Sequence, residues 1–440
     1  MKKIITAAIA ALLLIGCGSA QSNTSSGNHQ TTGKINHSGT IEEQVLYDTD
    51  GVLITASELV YEENRAKLLI NVENNGPHEI KVLSGTLGYS CNAINNLMVE
   101  DGWINMTIPS GKKASDSAYF SYDRLIAYGI SDIETIYMSL QIKDEEASTT
   151  ITTDPLPIKT SLSANTDKSL TVDEVTRNIV SMLSSKNEII YTDETELFNE
   201  AGIRIIGSSY FTLNDSKYLL LEVVNEGDSV VYVDTTDVSA NGLTLCSGRW
   251  SGDSIIPGKK RYLTLDLASM VDKEIWDMTG ITELSDIKLS FGVLTPDAKY
   301  IVSPQPLSFH VSENKMEIDT TGEEVYQGNG IRIISKGFVE DSLYINWELM
   351  VINDNDYNIS VSDGWGDKLS INDYMVDYTM WEEYINAHET SFAEIQISKD
   401  GLEEIGITRD QFQNLEISLE VHDENYRTIA NPTVSMTVNQ

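Results

Sequence analysis

Three stretches of the chain alternate apolar and polar residues with a period of two, and each runs into an asparagine. Leu68, Ile70 and Val72 precede Asn74; Leu219, Leu221 and Val223 precede Asn225; Trp347, Leu349 and Val351 precede Asn353. A period of two over this length predicts a strand with one buried face. The asparagine and its neighbours, as in Asn74-Asn75-Gly76, then predict a turn. Each asparagine lies 23 residues beyond a glycine, Gly51, Gly202 or Gly330, and a short β-like run follows each glycine: Val52-Leu53-Ile54, Ile203-Arg204-Ile205 and Ile331-Arg332-Ile333. The segments before the glycines also match, as Val45-Leu46-Tyr47, Leu197-Phe198 and Val325-Tyr326.

Further markers recur in the same order. Asn95-Asn96, Asn241-Gly242 and Asn372-Asp373 sit between apolar runs, where residues that tolerate positive φ close hairpins. Pro109-Ser110-Gly111-Lys112-Lys113 and Pro257-Gly258-Lys259-Lys260 form a shared loop, which the third copy replaces with Asn386-Ala387-His388-Glu389. Short helices are expected over 123–128, 269–279 and 398–405, begun by Asp or Ser and closed by Gly129, Gly280 and Gly406, each followed by isoleucine. A last alternating strand follows: Ile136, Met138 and Leu140; Ile287, Leu289 and Phe291; Leu415, Ile417, Leu419 and Val421. Each copy finishes near proline: Pro155 and Pro157, Pro304 and Pro306, Pro432.

A unit of short strands, turn signals and one small helix suits two packed sheets. The expected fold is therefore all-β dominated: three tandem antiparallel immunoglobulin-like β-sandwich domains, each with one short helix. Their expected bounds are 41–160, 190–312 and 323–440, with linkers at 161–189 and 313–322. In the first linker Val172, Val175, Ile179 and Leu183 fall near helical spacing behind Thr171, which predicts a short capped helix.

The chain opens with Met1-Lys2-Lys3 and an apolar run over 4–15, too short to span a bilayer core of about 30 Å as a helix. A basic start and short apolar core mark a secretory signal. Its end, Leu14-Ile15-Gly16-Cys17, resembles the lipobox of bacterial lipoproteins. That resemblance implies diacylglyceryl attachment to the Cys17 thiol after a signal over 1–17, and a cell-membrane address on the extracytoplasmic face. Residues 18–40 are rich in Ser, Thr, Asn and Gly and are expected to form a disordered tether.

The net charge of −37 repels nucleic acid and anionic surfaces, so no nucleic-acid partner is expected. Cys91 and Cys246 fall at non-equivalent places in two repeats, which argues against a structural disulfide. His29, His37, His78, His310, His388 and His422 form no zinc-hydrolase spacing, and no nucleophile elbow, phosphate loop or dinucleotide motif occurs. No catalytic residue, metal or cofactor is expected. Asp354-Asn355-Asp356 begins like an EF-hand, but Ile359 and Trp365 stand where glycine and glutamate are required. A different calcium site would draw on Asp363, Asp367, Asp373 or Asp377.

The whole arrangement resembles the tandem immunoglobulin-like domains of unknown function found in Gram-positive, notably clostridial, lipoproteins. The shared features are the Leu-Tyr-Asp-x-x-Gly opening, the strand ending in asparagine, the Pro-Gly-Lys loop and the Gly-Ile helix end. The resemblance implies a fold and a surface address, with no reaction. Aromatic residues give the remaining lead. Trp103, Trp250 and Trp381 occupy matching places, where they either pack on the sandwich edge or contact a ligand. The third copy adds Trp365, Tyr374, Tyr378 and Tyr384, while Trp347 falls in phase with the core. The functional expectation is a non-enzymatic binding or adhesion module with Trp365, Tyr374, Tyr378 and Trp381 as contact residues. A cell-wall glycan or a protein would be its partner, and the lipid anchor its link to the membrane. The alternative is an accessory or regulatory subunit of a membrane transporter or cell-wall assembly complex.

Overall fold

The computed structural model describes residues 34–84, 92–162, 170–182, 186–214, 216–364 and 369–438. The signal, Cys17, Cys91, Leu183, Trp365 and Asp367 lie outside the described residues. The structure is mostly strand, arranged in antiparallel sheets with no barrel. It divides into two compact units. One holds the residues up to Asp234 with Ser251–Leu267 and Phe291–Gln305; the other holds Thr235–Trp250, Ala268–Ser290 and Pro306–Gln440. The middle repeat of the sequence thus contributes strands to both.

In the first unit, Gln44–Thr49, Val52–Tyr61, Arg65–Asn74 and Lys112–Ser121 form one sheet in that spatial order, and Thr149–Thr152, Gln141–Asp144, Ile80–Ser84 and Ile104–Ile108 a second. A third runs Leu156–Lys159, Thr135–Met138, Asn92–Ile94, Leu97–Val99, Lys259–Asp266, Ser216–Asn225, Ile203–Leu213 and Asn187–Asp193, and Phe198–Glu200 also joins Ile203–Leu213. The alternation read from the sequence fills the core: Leu68, Ile70, Val72, Ile136, Met138 and Leu140 are all fully buried. Residues 34–40 do not behave as tether. Ile35 is buried in this core, the Asn36 amide donates to the Ser131 carbonyl at 2.7 Å, and His37 stacks on Tyr61.

The linker forms the expected helix, Val172–Met182. Thr171 and Glu174 cap it reciprocally: the Thr171 amide donates to Glu174 Oε2 at 3.0 Å and the Glu174 amide to Thr171 Oγ1 at 3.4 Å. Val172 and Val175 are buried against the core of the first unit.

In the second unit, one sheet runs through strands Tyr300–His310, Asp286–Leu294, Val231–Ala240, Leu243–Ile255, Thr390–Ser398, Tyr344–Asn353, Ile331–Glu340 and Glu323–Gly328, as far as each lies in that unit. Tyr378–Met380 also pairs with Thr390–Ser398. The other sheets are Glu383–Ile385, Ile359–Ser362, Glu420–Asp423, Thr428–Ala430, and Tyr374–Met375, Ser370–Ile371, Asn414–Ser418, Thr433–Thr437. Trp347 is fully buried, with its indole N–H donating to Ser335 Oγ at 2.8 Å.

Two asparagines per repeat explain the recurrence in the sequence. The Asn74 side chain donates to the His78 and Ile108 carbonyls (2.8 and 2.9 Å) and accepts from the Gly76 amide at 3.0 Å. Asn225 does the same with Ser229, Ile255 and Gly227, and Asn353 with Tyr357, Ile385, Asn386 and the Asn355 amide. All three are fully buried. The hairpin asparagines Asn95, Asn241 and Asn372 adopt φ of 57°, 51° and 51°. Their side chains tie the hairpin to the start of the last strand: Asn95 to Asp132, Glu134 and Thr135; Asn241 to Glu283, Ser285 and Asp286; Asn372 to Gln411, Gln413 and Asn414.

The helices are Tyr122–Ala127, Lys273–Thr279 and Lys399–Glu404. The second is shorter than expected, because Leu267–Ser269 forms a separate 3-10 turn before it. Ser398 caps the third through the Gly401 amide at 3.3 Å, while Ser121 and Asp272 begin theirs without a side-chain bond. Gly129 and Gly406 close as expected. The Ile130 amide donates to Leu125 and the Ile407 amide to Leu402, and both isoleucines are buried.

Two contacts between repeats share one geometry. In the first unit Leu97 pairs in parallel with Lys260, and the Lys260 amide donates to the Asn96 carbonyl at 2.9 Å. In the second, Leu243 pairs in parallel with Thr390, whose amide donates to the Gly242 carbonyl at 2.8 Å. In each case the hairpin of one repeat lies against the strand after the Pro-Gly-Lys loop, or its equivalent, of the next. The loop's lysine is structural here. Lys260 Nζ donates to the Leu170 carbonyl at 2.9 Å and Glu222 at 3.0 Å, with both side chains almost fully buried.

Replacing Asn225 with Ala strands the buried Ile255 carbonyl, the Ser229 carbonyl and the Gly227 amide. The expected loss is about 2–4 kcal/mol, measured as an earlier urea transition of the full chain. Unchanged unfolding would contradict this role for the carboxamide.

Candidate functional site

The contact residues expected from the sequence fall on one segment of the C-terminal repeat, and the structure separates them. Tyr374 and Met375 form the outermost strand of their sheet, and both are more than half exposed. Tyr378 turns onto another sheet, is half-buried, and its hydroxyl donates to Asp363 Oδ2 at 3.0 Å. Trp381 is 69% exposed. Trp103, its counterpart in the first repeat, is also exposed, and its indole N–H donates to the Glu100 carbonyl at 2.7 Å.

Around Trp381 the surface is aromatic and acidic. Tyr384 lies three residues on, in strand Glu383–Ile385; its hydroxyl donates to Glu382 Oε2 at 2.8 Å and meets the Tyr426 hydroxyl at 3.4 Å. Tyr426 sits at φ 57° in the turn before Thr428–Ala430 and is 69% exposed. The Tyr426 hydroxyl, burial and the Glu382 carboxylate together hold the Tyr384 phenol above its ordinary range, so it stays a neutral donor. Nothing in the hydrophobic periodicity marks Tyr426, because it belongs to a turn. Flat rings beside carboxylates can stack on the apolar face of a sugar while accepting from its hydroxyls, or hold a cation.

Two carboxyl groups of the C-terminal repeat escaped the sequence reading. Glu348 stands where the first two repeats carry Leu69 and Leu220, is 98% buried, and has Oε2 without a hydrogen-bond partner. Burial, then the charges of Glu394, Asp272 and Glu274, pushes its carboxyl up to about 8. Glu383 is raised to about 7 by burial, against a hydrogen bond from Ser391 at 2.6 Å. A general acid must reach a substrate. Glu348 is closed off from solvent, so its proton acts on stability. Burial pushes the free Cys246 thiol to about 11, leaving a poor nucleophile. Among the described residues no cluster of three or more His, Cys, Asp or Glu could hold a metal ion; Asp363, Asp373 and Asp377 are not gathered into one. Among them, too, no helix is long and apolar enough to cross a membrane.

No protein-family profile and no curated protein matches this chain. Among solved structures, it is similar to one from a study of host cell surface retention of a 1.5-MDa bacterial ice-binding adhesin (10% identity, 85% of this chain and 90% of that one, TM-score 0.15). It is also similar to red sea bream transglutaminase (11%, 64% and 32%, TM-score 0.16) and to an Amycolatopsis orientalis exo-chitosanase (10%, 52% and 26%, TM-score 0.15). TM-scores this low carry no argument about what the chain does.

The buried Glu348 carboxyl gives a pH dependence of defined sign. Its folded value lies above the ordinary carboxylate value, so the folded state holds a proton that the unfolded state releases. The contribution of Glu348 to stability is therefore full near pH 4 and is lost as pH rises towards about 8. Glu348→Gln mimics the protonated form. Its melting temperature should match the parent near pH 4 and exceed it by several degrees at about pH 8.5. Equal melting temperatures at both pH values would show that Glu348 ionises freely.

Proposed function

We propose that the protein is a lipid-anchored, extracytoplasmic surface protein that binds a cell-wall glycan without chemical turnover, through the aromatic surface of its C-terminal repeat. The observation that carries this reading is the exposure of Trp381 and Tyr426, together with the contacts of the Tyr384 hydroxyl to Glu382 and Tyr426. Exposed tryptophan loses little by staying in water as a single residue. Next to Glu382 and three residues before Tyr384 in the chain, it would supply, with the tyrosines, a face of the kind that carries binding energy at low entropic cost. The lipobox-like Leu14-Ile15-Gly16-Cys17 supports the address. A diacylated cysteine supplies two chains, enough for stable anchoring where one is marginal.

Trp381→Ala should weaken retention on purified cell-wall glycan about tenfold and leave the melting temperature unchanged, since the ring contributes little to the core. Loss of stability with unaltered retention would mean that Trp381 packs instead of binding. Retention on a basic protein alone would shift the reading from sugar to protein. Cys17→Ser should release the protein from membranes during fractionation. A variant that stays bound through high-salt washing would end the lipid-anchor reading.

A further inference from the structure

Among the described residues, the two junctions between repeats leave one unused half at each end of the series. In both, the two residues after the hairpin turn are buried: Leu97 and Met98 in the first, Leu243 and Thr244 in the second. The equivalent pair in the third repeat is Tyr374 and Met375, at 56% and 57% exposure, on the outermost strand of its sheet. The receiving strands are Lys259–Asp266 and Thr390–Ser398. Their counterpart in the first repeat, Lys112–Ser121, is likewise the outermost strand of its sheet. Pairing opposite the buried asparagines fixes the register, because Lys112 stands opposite Asn74 as Lys259 does opposite Asn225.

Side chains repeat across the junctions as well. Lys259 Nζ lies 3.9 Å from the centre of the Tyr137 ring. At the equivalent places Glu389 Oε1 lies 3.6 Å from Lys288 Nζ. The same positions on the unused halves are Lys112 and Glu416, both exposed and opposite in charge. We propose that these halves join: the Tyr374–Met375 edge of one molecule adds in parallel to the Lys112–Ser121 edge of a second copy, with Tyr374 opposite Lys113 and Glu416 facing Lys112. The association is head-to-tail and heterologous, the internal junction used once more between molecules. It draws on Tyr374, Met375, Lys112 and Glu416, and stands apart from the glycan surface around Trp381.

The test is capture of one tagged full-length chain by a differently tagged full-length copy, both solubilised in mild detergent from cells expressing the two. Wild-type chains should capture one another. Glu416→Lys in both copies, or Lys112→Glu in both, should reduce capture about tenfold by placing like charges together. The double variant carrying both changes should restore it. Both positions are exposed, so melting temperatures should not change, and Trp381→Ala should leave capture intact. Absence of wild-type capture, indifference to either single reversal, or failure of the double variant to recover would overturn the proposal.

Discussion

The buried asparagine at the end of the third strand of each repeat ties together three pieces of backbone from separate strands and turns. A carboxamide offers two donors and an acceptor with two lone pairs. At Asn74, Asn225 and Asn353 both donors go to carbonyls from separate segments, and the oxygen takes the amide two residues on. No apolar residue can satisfy those groups, and an aspartate would present acceptors to carbonyls. The turn, the following strand and the strand before the Pro-Gly-Lys loop are thereby fixed against one another. Because that loop leads straight into the strand that meets the neighbouring repeat, the same side chain also sets the register of the junction.

At the junction the sequence varies while the backbone does not. Lys260 and Thr390 occupy the same place and donate through the same amide, yet one side chain forms a buried ion pair with Glu222 and the other is neutral. The ion pair is costly to bury, and one further bond offsets part of that cost: the Leu170 carbonyl, which also accepts from the Tyr262 hydroxyl at 2.7 Å, accepts from Lys260 Nζ. In the second unit, buried Glu389 is satisfied differently, by Ser239 Oγ at 2.6 Å, Thr244 Oγ1 at 2.9 Å and Asn386 Nδ2 at 2.9 Å. The backbone contact is general, and the side-chain chemistry is particular to each junction.

Strand faces, turns and the linker helix were legible because each is written in local periodicity: Leu68, Ile70 and Val72 need only a period of two, and Thr171 with Glu174 needs only a spacing of three. The asparagines were visible as turn markers, but their tertiary role was not. Ile108 meets Asn74 only after the sheets pack. The aromatic lead was half legible. Trp381 is exposed as a contact residue must be, while Tyr378 turns inward to Asp363, because its strand leaves the Tyr374–Met375 sheet and pairs with Thr390–Ser398. Glu348 was illegible, because its strand alternates as a half-solvated strand should. Only packing on its second face, which Leu220 already suggests by being apolar there, makes that position buried.

The side chains at each junction also discriminate between possible neighbours. Lys259 rests on the electron-rich face of Tyr137, an attraction that needs a cation there. Glu389 faces Lys288, and the pair needs opposite charges. If the middle repeat followed a copy of itself, Lys259 would meet Lys288, two cations at one contact. If the third repeat followed the first, Glu389 would bring a carboxylate to the π face of Tyr137, which repels it. Each mispairing keeps the backbone hydrogen bond and loses the side-chain term, so specificity comes from repulsion in the wrong arrangements as much as from attraction in the right one. A repeat that can join end to end through a common backbone contact needs such a device, since the strand edges by themselves would accept any neighbour.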